Sequence, residues 1–246
     1  MTDSSSNKPV LEALNIRKHF GAIAALESVT FSIGNGEVVG LVGDNGAGKS
    51  TLVKVITGYY SDYSGEIRLR GKSIHMGSPK IAHDLGIDVV HQDLGLSPNL
   101  SVRDNIFLGR EIVSRFKFID YRSESETARK ILDQLNKEVD TETKVGSLSG
   151  GQRQLVAIAR IMLRNPKIVF MDEPTSNISE HAAKEVLDLI RRLKTGGTST
   201  ILISHRLQEV LDVCDRILVL RNGRSVADVS AKGASIEGVL RLMVAG

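Results

Sequence analysis

The chain has few of the features that would place it outside the cell or across a membrane. It contains a single cysteine, Cys214, so an intrachain disulfide is excluded, and we interpret this residue as core filler in a reducing compartment. No apolar run approaches the ~20 residues that a membrane-spanning helix needs. Residues 1–9 are polar and serine-rich, without the basic-then-apolar order of a secretory signal, and we expect them to form a flexible tail. We therefore expect a protein that is soluble, or that reaches a membrane only through another protein.

The chain also has little excess charge. Its 32 basic and 29 acidic residues leave a formal net charge of +3 over 246 residues, and the basic residues form no tail or arm. This balance favours a mixed, solvated surface over a nucleic-acid-binding one, so no nucleic-acid partner is expected. The length suits one large domain or two small ones, with a sizeable core.

The hydrophobic pattern predicts an α/β fold. Nearly continuous apolar runs, typical of strands covered by helices on both faces, occur at Val38–Val42, Ile168–Met171 and Thr200–Ile203. Alternating runs at Val29–Ile33 and Glu66–Leu69 predict half-buried strands. Helical periodicity is found in four segments: Ser50–Thr57, Arg122–Asn136, Gln152–Leu163 and Glu180–Leu193. The stretch from about Leu94 to Leu148 has no convincing strand and predicts a helical insertion into a mostly parallel core.

One segment has the pattern of a phosphate-binding loop. It follows a predicted buried strand and leads into a predicted helix, which is the context that the pattern requires. The segment consists of Gly43, Asp44, Asn45, Gly46, Ala47, Gly48, Lys49, Ser50 and Thr51. Its glycines allow successive amides to point at an anion, Lys49 supplies a full charge for the β- and γ-phosphates, and Ser50 can place its hydroxyl on Mg²⁺. We therefore predict ATP and Mg²⁺ as ligands.

Two carboxylates follow the predicted strand Ile168–Met171. Ligands collect at the carboxyl edge of open parallel sheets, so Asp172 and Glu173 are placed to act on the same ligand as the phosphate loop. Asp172 would hold Mg²⁺ through water, and Glu173 would orient or deprotonate the attacking water. Taken alone, two acids at a strand end are often only a solvated cap.

A second glycine-rich element opens another predicted helix. It contains Ser149, Gly150, Gly151 and Gln152, preceded by Leu148. Such a start offers a second cluster of amides for an anion, which a simple kinase or GTPase would not need. A plain serine-capped helix start is the alternative, and both can hold in different states.

The chain resembles the ATP-binding-cassette (ABC) family over nearly its whole length. The resemblance is carried by three elements that follow one another in the family's order: the phosphate loop, the Leu148–Gln152 segment and the Asp172-Glu173 pair. The resemblance implies a P-loop NTPase fold built as one nucleotide-binding domain, residues 10–246. Residues 10–93 and 155–246 would form the mostly parallel core with an N-terminal antiparallel β subdomain. Residues 94–154 would form the inserted helical subdomain.

The resemblance gives roles to three further residues. It implies that Gln92, after the apolar run 86–90, senses the γ-phosphate and Mg²⁺ and borders the membrane partner. His205 is implied to contact the γ-phosphate, and Phe20 to stack on adenine. Taken alone, Gln92 would be an ordinary loop residue, His205 structural and Phe20 a core aromatic.

One motif departs from the family pattern. After Ser176 the family often has Ala-Leu-Asp or Ala-Leu-Thr, whereas this chain has Asn177, Ile178 and Ser179. The resemblance makes this the loop that crosses the subunit interface. Ser179 keeps a hydroxyl, but Asn177 in place of alanine leaves the effect on the hydrolysis rate open.

The resemblance also implies partners. In the family two such domains meet head to tail, so Ser149, Gly150 and Gly151 would complete the ATP site of a second subunit. One phosphate loop and one signature require a second copy, and we expect a homodimer with a similar but different chain as the alternative. Integral-membrane permease subunits are the further partners, and they place the chain on the cytoplasmic face of the bacterial membrane as a peripheral subunit.

Several segments indicate a branch of the family. Residues 90–94, 97–102, 104–111 and 240–246 are similar to ATP-binding subunits of ribose-, xylose- and fructose-type sugar importers, in the single-cassette form. An external, periplasmic sugar-binding protein would then be an indirect partner. The sugar does not follow, because the permease and the binding protein set specificity.

Three alternatives remain at this stage. A DNA-repair or chromosome-organising cassette would need a long coiled coil between Gln92 and Ser149, for which there is no room. A translation-associated cassette normally carries two cassettes and a charged linker. A non-hydrolysing nucleotide-dependent scaffold is compatible with Asn177 but is disfavoured by Glu173 and His205.

Overall fold

The computed structural model describes residues 9–135 and 139–244. The predicted tail (apart from Pro9), the predicted helix end at Asn136 and the last two residues of the 240–246 segment lie outside the described residues. The strands are β1 Leu11–Phe20, β2 Ile23–Ile33, β3 Val38–Val42, β4 Ser64–Leu69, β5 Lys72–Ile74, β6 Ile87–Val90, β7 Ile168–Asp172, β8 Ser199–Ile203, β9 Arg216–Arg221 and β10 Arg224–Ser230. The helices are α1 Lys49–Ile56, α2 Pro79–Asp84, α3 Val102–Phe107, α4 Tyr121–Gln134, α5 Gly150–Met162, α6 Glu180–Thr195, α7 Leu207–Val213 and α8 Ile236–Val244, with a 3₁₀ turn at Val145–Ser147.

The ten strands form one mixed sheet in the order β5-β4-β1-β2-β10-β9-β3-β8-β7-β6. Strand β3 is parallel to both β8 and β9, and β7 is parallel to β8. The N-terminal strands β1, β2, β4 and β5 pair antiparallel. The predicted α/β class, with a largely parallel core and an N-terminal antiparallel part, is therefore confirmed.

The two parts of the sheet meet at a narrow junction between β2 and β10. Their parallel pairing has one register pair, Ser28 with Arg224. Close by, the amides of Glu27 and Ser28 both donate to the carbonyl of Gly223, at 2.8 and 3.2 Å. Asn222 and Gly223 form the turn between β9 and β10 with φ of 48° and 71°, the left-handed values that an Asn-Gly hairpin turn adopts.

The parallel strands position the site because they are buried and end together. Every residue of β3 and of β8 is buried, as their continuous apolar sequences predict. Strand β8 lies between β3 and β7, so the chain leaves all three at one edge of the sheet. The phosphate loop, Ser204-His205 and Asp172-Glu173 are the residues found at these three exits.

At most of their ends, the predicted segments agree with the described elements to within a few residues. Helix α1 begins at Lys49 rather than Ser50, and α5 begins at Gly150 rather than Gln152. The alternating run Val29–Ile33 is only the second half of β2. None of the helices in the described ranges combines the length and apolarity that crossing a bilayer demands.

The chain divides into two compact units. The first comprises the described residues up to 89, residues 167–173 and residues from 190 onward, and it contains nearly all of the sheet. The second comprises residues 90–166 and 174–189, with α3, α4, α5 and the start of α6. Between its predicted limits the insertion is helical, with isolated β-bridges only, among the described residues.

A buried amide organises the segment before α3. Asn105 is fully buried; its side-chain oxygen accepts from the amide of Ser97 at 2.7 Å, and its nitrogen donates to the carbonyls of Ser97 and Ser101 at 3.0 and 2.9 Å. We expect Asn105→Ala to lower the free energy of unfolding by about 2–4 kcal/mol, because these backbone groups lose their partner. Urea unfolding checks this, with the exposed Asn99→Ala as control. Equal stability of the two variants would contradict the assignment.

Candidate nucleotide site

The phosphate loop has the backbone form that an anion requires. Gly46 and Gly48 have φ of 84° and 105°, and Gly48 is the N-cap of α1 without any side-chain cap. A Cβ on Gly48 would lie 2.8 Å from the carbonyl oxygen of Ala25, so the loop also needs glycine there to approach β2. The carbonyl of Ala47 accepts from the amide of Gly223 at 3.0 Å. Because no side chain caps α1, the amides at its start can bind an anionic ligand.

Lys49 is folded back over the loop. Its ammonium donates to the carbonyl oxygens of Gly43 at 2.6 Å and Asp44 at 3.0 Å. Burial lowers the pKa of Lys49, and the negative charges of Glu173, Asp172 and Asp44 partly offset this. An anionic ligand would place further negative charge beside this half-buried ammonium and so stabilise its protonated form.

Glu173 stands in an uncommon backbone conformation. Its φ is 52°, a left-handed value that costs roughly 1–2 kcal/mol in a non-glycine residue. The conformation is fixed by the amide of Glu173, which donates to the carbonyl of Ile203 at 2.9 Å. Such strain at a strand end is frequent where a functional side chain must be aimed.

His205 reaches this carboxylate from the end of β8. Its Nδ1 lies 2.7 Å from Oε2 of Glu173. The Glu173 side chain is 15% exposed whereas that of His205 is 70% exposed, so the carboxylate is shielded and the imidazole faces outward. The sequence placed both residues at the site, but their contact with each other is a finding of the structure.

A cavity of about 280 Å³ opens beside the loop. It is lined by residues 43–45 of the phosphate loop, by Ser204 and His205, and by Leu240 and Met243 of α8. Loop amides, an imidazole and apolar side chains meet here, which gives the site a wall on the side of the C-terminal helix.

Phe20 lies at the end of β1 and is 42% exposed. Its ring packs against that of Tyr60 in a T-shaped arrangement, with the ring centroids 5.1 Å apart and the planes at 73°. An exposed aromatic ring at a strand end is a suitable surface for a purine base. The predicted adenine contact is thus structurally possible at this position.

The signature segment lies in the second unit and begins α5. Ser149 and Gln152 form a reciprocal capping box, in which Ser149 N donates to Oε1 of Gln152 at 2.9 Å and Gln152 N donates to Oγ of Ser149 at 3.2 Å. Ser149 is exposed. The serine-capped helix start is therefore confirmed, and the capping box gives α5 a defined beginning.

The two signature glycines also have a packing role that the sequence did not reveal. A Cβ on Gly151 would lie 2.6 Å from the Cβ of Ala182, and one on Gly150 would lie 3.1 Å from Cγ2 of Ile178. Only glycine lets α5 approach the start of α6 and the loop before it this closely. The signature and the predicted cross-interface loop are thus neighbours within one unit.

The departure at Asn177 has a backbone explanation. Its φ is 60°, a left-handed value that asparagine adopts more readily than alanine. Two residues later, Oγ of Ser179 accepts from the amide of Ala182 at 3.3 Å, so Ser179 caps the start of α6. These two residues set the turn that presents the loop.

Gln92 is exposed, two residues beyond β6, at the beginning of the second unit. The segment that follows it is tied to the signature helix by Arg160 of α5, which donates to the carbonyls of Leu94 at 2.6 Å and Gly95 at 2.9 Å. Burial lowers the pKa of Arg160. Sequence reasoning missed this residue, because an arginine 65 positions away from its partners has no local signal.

The residues predicted to hold Mg²⁺ are Ser50, Gln92 and Asp172. Ser50 is exposed in the first turn of α1 and Asp172 ends β7, both in the first unit, whereas Gln92 belongs to the second. Within the described ranges, no three or more His, Cys, Asp or Glu side chains converge into a metal-binding group. A hydroxyl and a carboxylate beside a triphosphate fit Mg²⁺, which takes one or two protein ligands and keeps waters and phosphates for the rest.

Comparison with known proteins adds a family and its relatives. Residues 26–176 match the ABC transporter family. The chain is 41% identical to a xylose/arabinose import ATP-binding protein of Sulfolobus acidocaldarius, over 95% of this chain and 93% of that protein. It is also 41% identical to a ribose import ATP-binding protein of Escherichia coli O157:H7, over 97% of this chain and 47% of that protein. The chain spans about half the length of the ribose import proteins that it matches.

Solved structures resemble the chain over almost its full length. A nucleotide-free ATP-binding cassette from an ABC transporter superposes with a TM-score of 0.82 and 32% identity, covering 96% of this chain and 95% of that one. A dimeric ATP-binding cassette in a post-hydrolysis state, bound to ADP and phosphate, gives a TM-score of 0.76 and 25% identity over 91% of this chain and 100% of that one.

Proposed function

We propose that this chain, which belongs to the ABC transporter family, is the ATP-binding and ATP-hydrolysing subunit that powers a membrane importer of a monosaccharide such as ribose, xylose or fructose. The observation that carries the proposal is the likeness of nearly the whole chain to sugar-import ATP-binding proteins. The phosphate loop, with Lys49 beside Asp172 and Glu173, supports it chemically.

The site residues of the first unit each have a part in this chemistry. The α1 amides and Lys49 hold the phosphates, Ser50 and Asp172 hold Mg²⁺, and the Phe20 ring receives the adenine. Bound Mg²⁺ would neutralise charge on the β- and γ-phosphates. Glu173 orients the attacking water and accepts its proton, and His205 keeps that carboxylate in place at 2.7 Å while facing the γ-phosphate.

The second unit contains the signature segment. The start of α5, with the exposed side chain of Ser149, offers a helix N-terminus for a second anion contact. We propose that Ser149, Gly150 and Gly151 complete the ATP site of another copy in a head-to-tail homodimer, with Asn177 and Ser179 beside them. A related cassette is dimeric with ADP and phosphate bound, which supports this arrangement.

Closure of this dimer around two ATP molecules would drive the permease, and hydrolysis would reset it. We propose that Gln92 and the helical part of the second unit contact the permease at the cytoplasmic face of the membrane. An external sugar-binding protein would deliver the sugar, and no nucleic acid takes part. The sugar is then selected by those partners, because the proposed site residues bind ATP.

Two inactive variants test the dimer and the activity together. Lys49→Ala disables the phosphate loop and Ser149→Arg blocks the exposed signature, so each alone should hydrolyse little ATP. In a mixed dimer one site combines both lesions and the other has neither, so an equal mixture should recover up to about a quarter of wild-type Mg²⁺-dependent activity. Phosphate release across a protein concentration series measures this.

Either of two results would contradict the proposal. A mixture no more active than its components would mean that Ser149 acts within its own chain or not at all. Wild-type protein without ATPase activity, alone or with the reconstituted membrane partner, would remove the proposed hydrolytic function. A mixture of wild type with the exposed-site control Lys72→Ala should keep full activity, since Lys72 lies on β5 away from the phosphate loop.

A further inference from the structure

The C-terminal part of β1 contains a buried lysine that the proposed chemistry does not use. Lys18 is 3% exposed, although lysine is almost never fully buried unless it is paired. Its ammonium lies 2.5 Å from Oδ2 of Asp62, whose side chain is 78% exposed. The pair is therefore solvated on one side only, and an apolar residue would fill the same space without the cost of desolvating a cation.

The lysine is surrounded by aromatic rings on its other side. Its Nζ lies 4.6 Å from the centroid of Phe20 and 5.4 Å from that of Tyr60. These are cation–π distances, and such contacts strengthen when the cation is desolvated. Lys18 thus lies over one face of the Phe20 ring, and the ring of Tyr60 packs against it with the planes at 73°.

This packing leaves part of Phe20 open. Lys18 lies over one face of the ring and Tyr60 packs against it, yet the residue as a whole is 42% exposed, so a flat base can reach the side chain. The contacts with Lys18 and Tyr60 also restrict the orientations that the ring can take. A ring held in this way binds a base without first losing its own freedom.

Tyr60 also connects the ring to the phosphate loop. Its backbone amide donates to the carbonyl of Lys54 in α1, at 3.1 Å, and α1 begins at Lys49. The helix that holds the phosphates is therefore linked through Tyr60 to the ring that would hold the base. The distance between the two is built into the fold.

We propose that Lys18 and Tyr60 are positioning residues that hold the Phe20 ring at the place and angle at which it receives the adenine of ATP. The inference rests on the proposed function. It adds two residues that do not touch the nucleotide but set the affinity for its base. Their effect is confined to ligands that carry a base.

The experiment therefore compares a ligand that carries a base with one that does not. Calorimetric titration compares ATP with inorganic tripolyphosphate, which has the phosphates and no base. Lys18→Met and Tyr60→Leu should raise the Kd for ATP about three- to tenfold and leave the Kd for tripolyphosphate unchanged. Lys18→Arg, which keeps a cation over the rings, should recover most of the ATP affinity. Arg17→Met, an exposed neighbour on the same strand, is the matched control.

The outcomes separate this inference from the proposed function. Equal weakening for ATP and tripolyphosphate would mean a general loss of structure, and an unchanged Kd for ATP would mean no positioning role; either overturns the inference alone. Wild-type protein that binds neither ligand would overturn the proposed function as well. Because Asp62 is already solvated, Lys18→Met strands no buried charge, and a thermal unfolding scan verifies that both variants fold.

Discussion

Replacing Glu173 by glutamine is expected to leave ATP binding intact and to reduce steady-state hydrolysis about 100- to 1,000-fold. Glutamine has nearly the same size and keeps the hydrogen bond that the backbone N–H of residue 173 donates to the carbonyl of Ile203 at 2.9 Å, so the left-handed backbone is retained. It has no carboxylate to accept a proton from water. The loss therefore falls on turnover and not on the loop that holds the phosphates.

Parallel measurements of binding and phosphate release check this prediction. Titration of Glu173→Gln with ATP should give the wild-type Kd, while phosphate release should show the predicted reduction. Glu180→Gln is the control, because Glu180 is an exposed acid of α6 paired with Lys184. Near-normal turnover in Glu173→Gln would remove this residue from the role of base.

Replacing Lys49 by alanine is expected to weaken nucleotide binding itself, by about 10- to 100-fold. The ammonium is half-buried against the Gly43 and Asp44 carbonyls, and its pKa is lowered by that burial. A triphosphate would replace these neutral acceptors with charged ones. Alanine offers neither charge nor hydrogen bond, so both ATP and ADP should lose affinity.

Fluorescence titration with a labelled nucleotide measures the effect, and the protein's lack of tryptophan gives a low intrinsic background. Lys72→Ala, at an exposed position on β5, is the control for loss of one positive charge. Unchanged binding in Lys49→Ala would contradict the phosphate-loop assignment. Because burial lowers the pKa of Lys49, this residue loses its charge at a lower pH than an ordinary lysine does. The affinity of the wild-type protein for nucleotide should therefore decline with rising pH before ordinary lysines titrate.

The sequence predicted best what depends on a few neighbouring residues. The run Val38–Val42 is strand β3, as predicted, because a nearly continuous apolar run before a glycine-rich loop fits a strand that is buried on both faces. The end of α1 was also close, since Gly58 follows it with φ of 73°. Strand β1 was not predicted, because register shifts and the left-handed Asn15 interrupt its alternation of apolar and polar residues.

In the candidate site, too, local patterns were predicted and contacts between distant residues were not. Glycine patterns and paired acids identified the phosphate loop and Glu173, but the packing function of Gly151 depends on Ala182, 31 residues later. Lys18 and Asp62 are 44 residues apart, and Arg160 and Gly95 are 65 apart. Contacts of this length leave no periodic or spacing signal in one sequence, so only the fold brings them into view.

The narrow junction between β2 and β10 joins two parts of the sheet that share one hydrophobic core. Backbone pairing there is limited to one register pair and the bonds of Glu27 and Ser28 to Gly223, but Leu26 on one side and Leu218 on the other belong to the same buried cluster. Phe20 belongs to the strands on one side and Lys49 follows a strand on the other. A nucleotide held by both would bridge this junction, so its binding should stabilise the two parts of the sheet against separation.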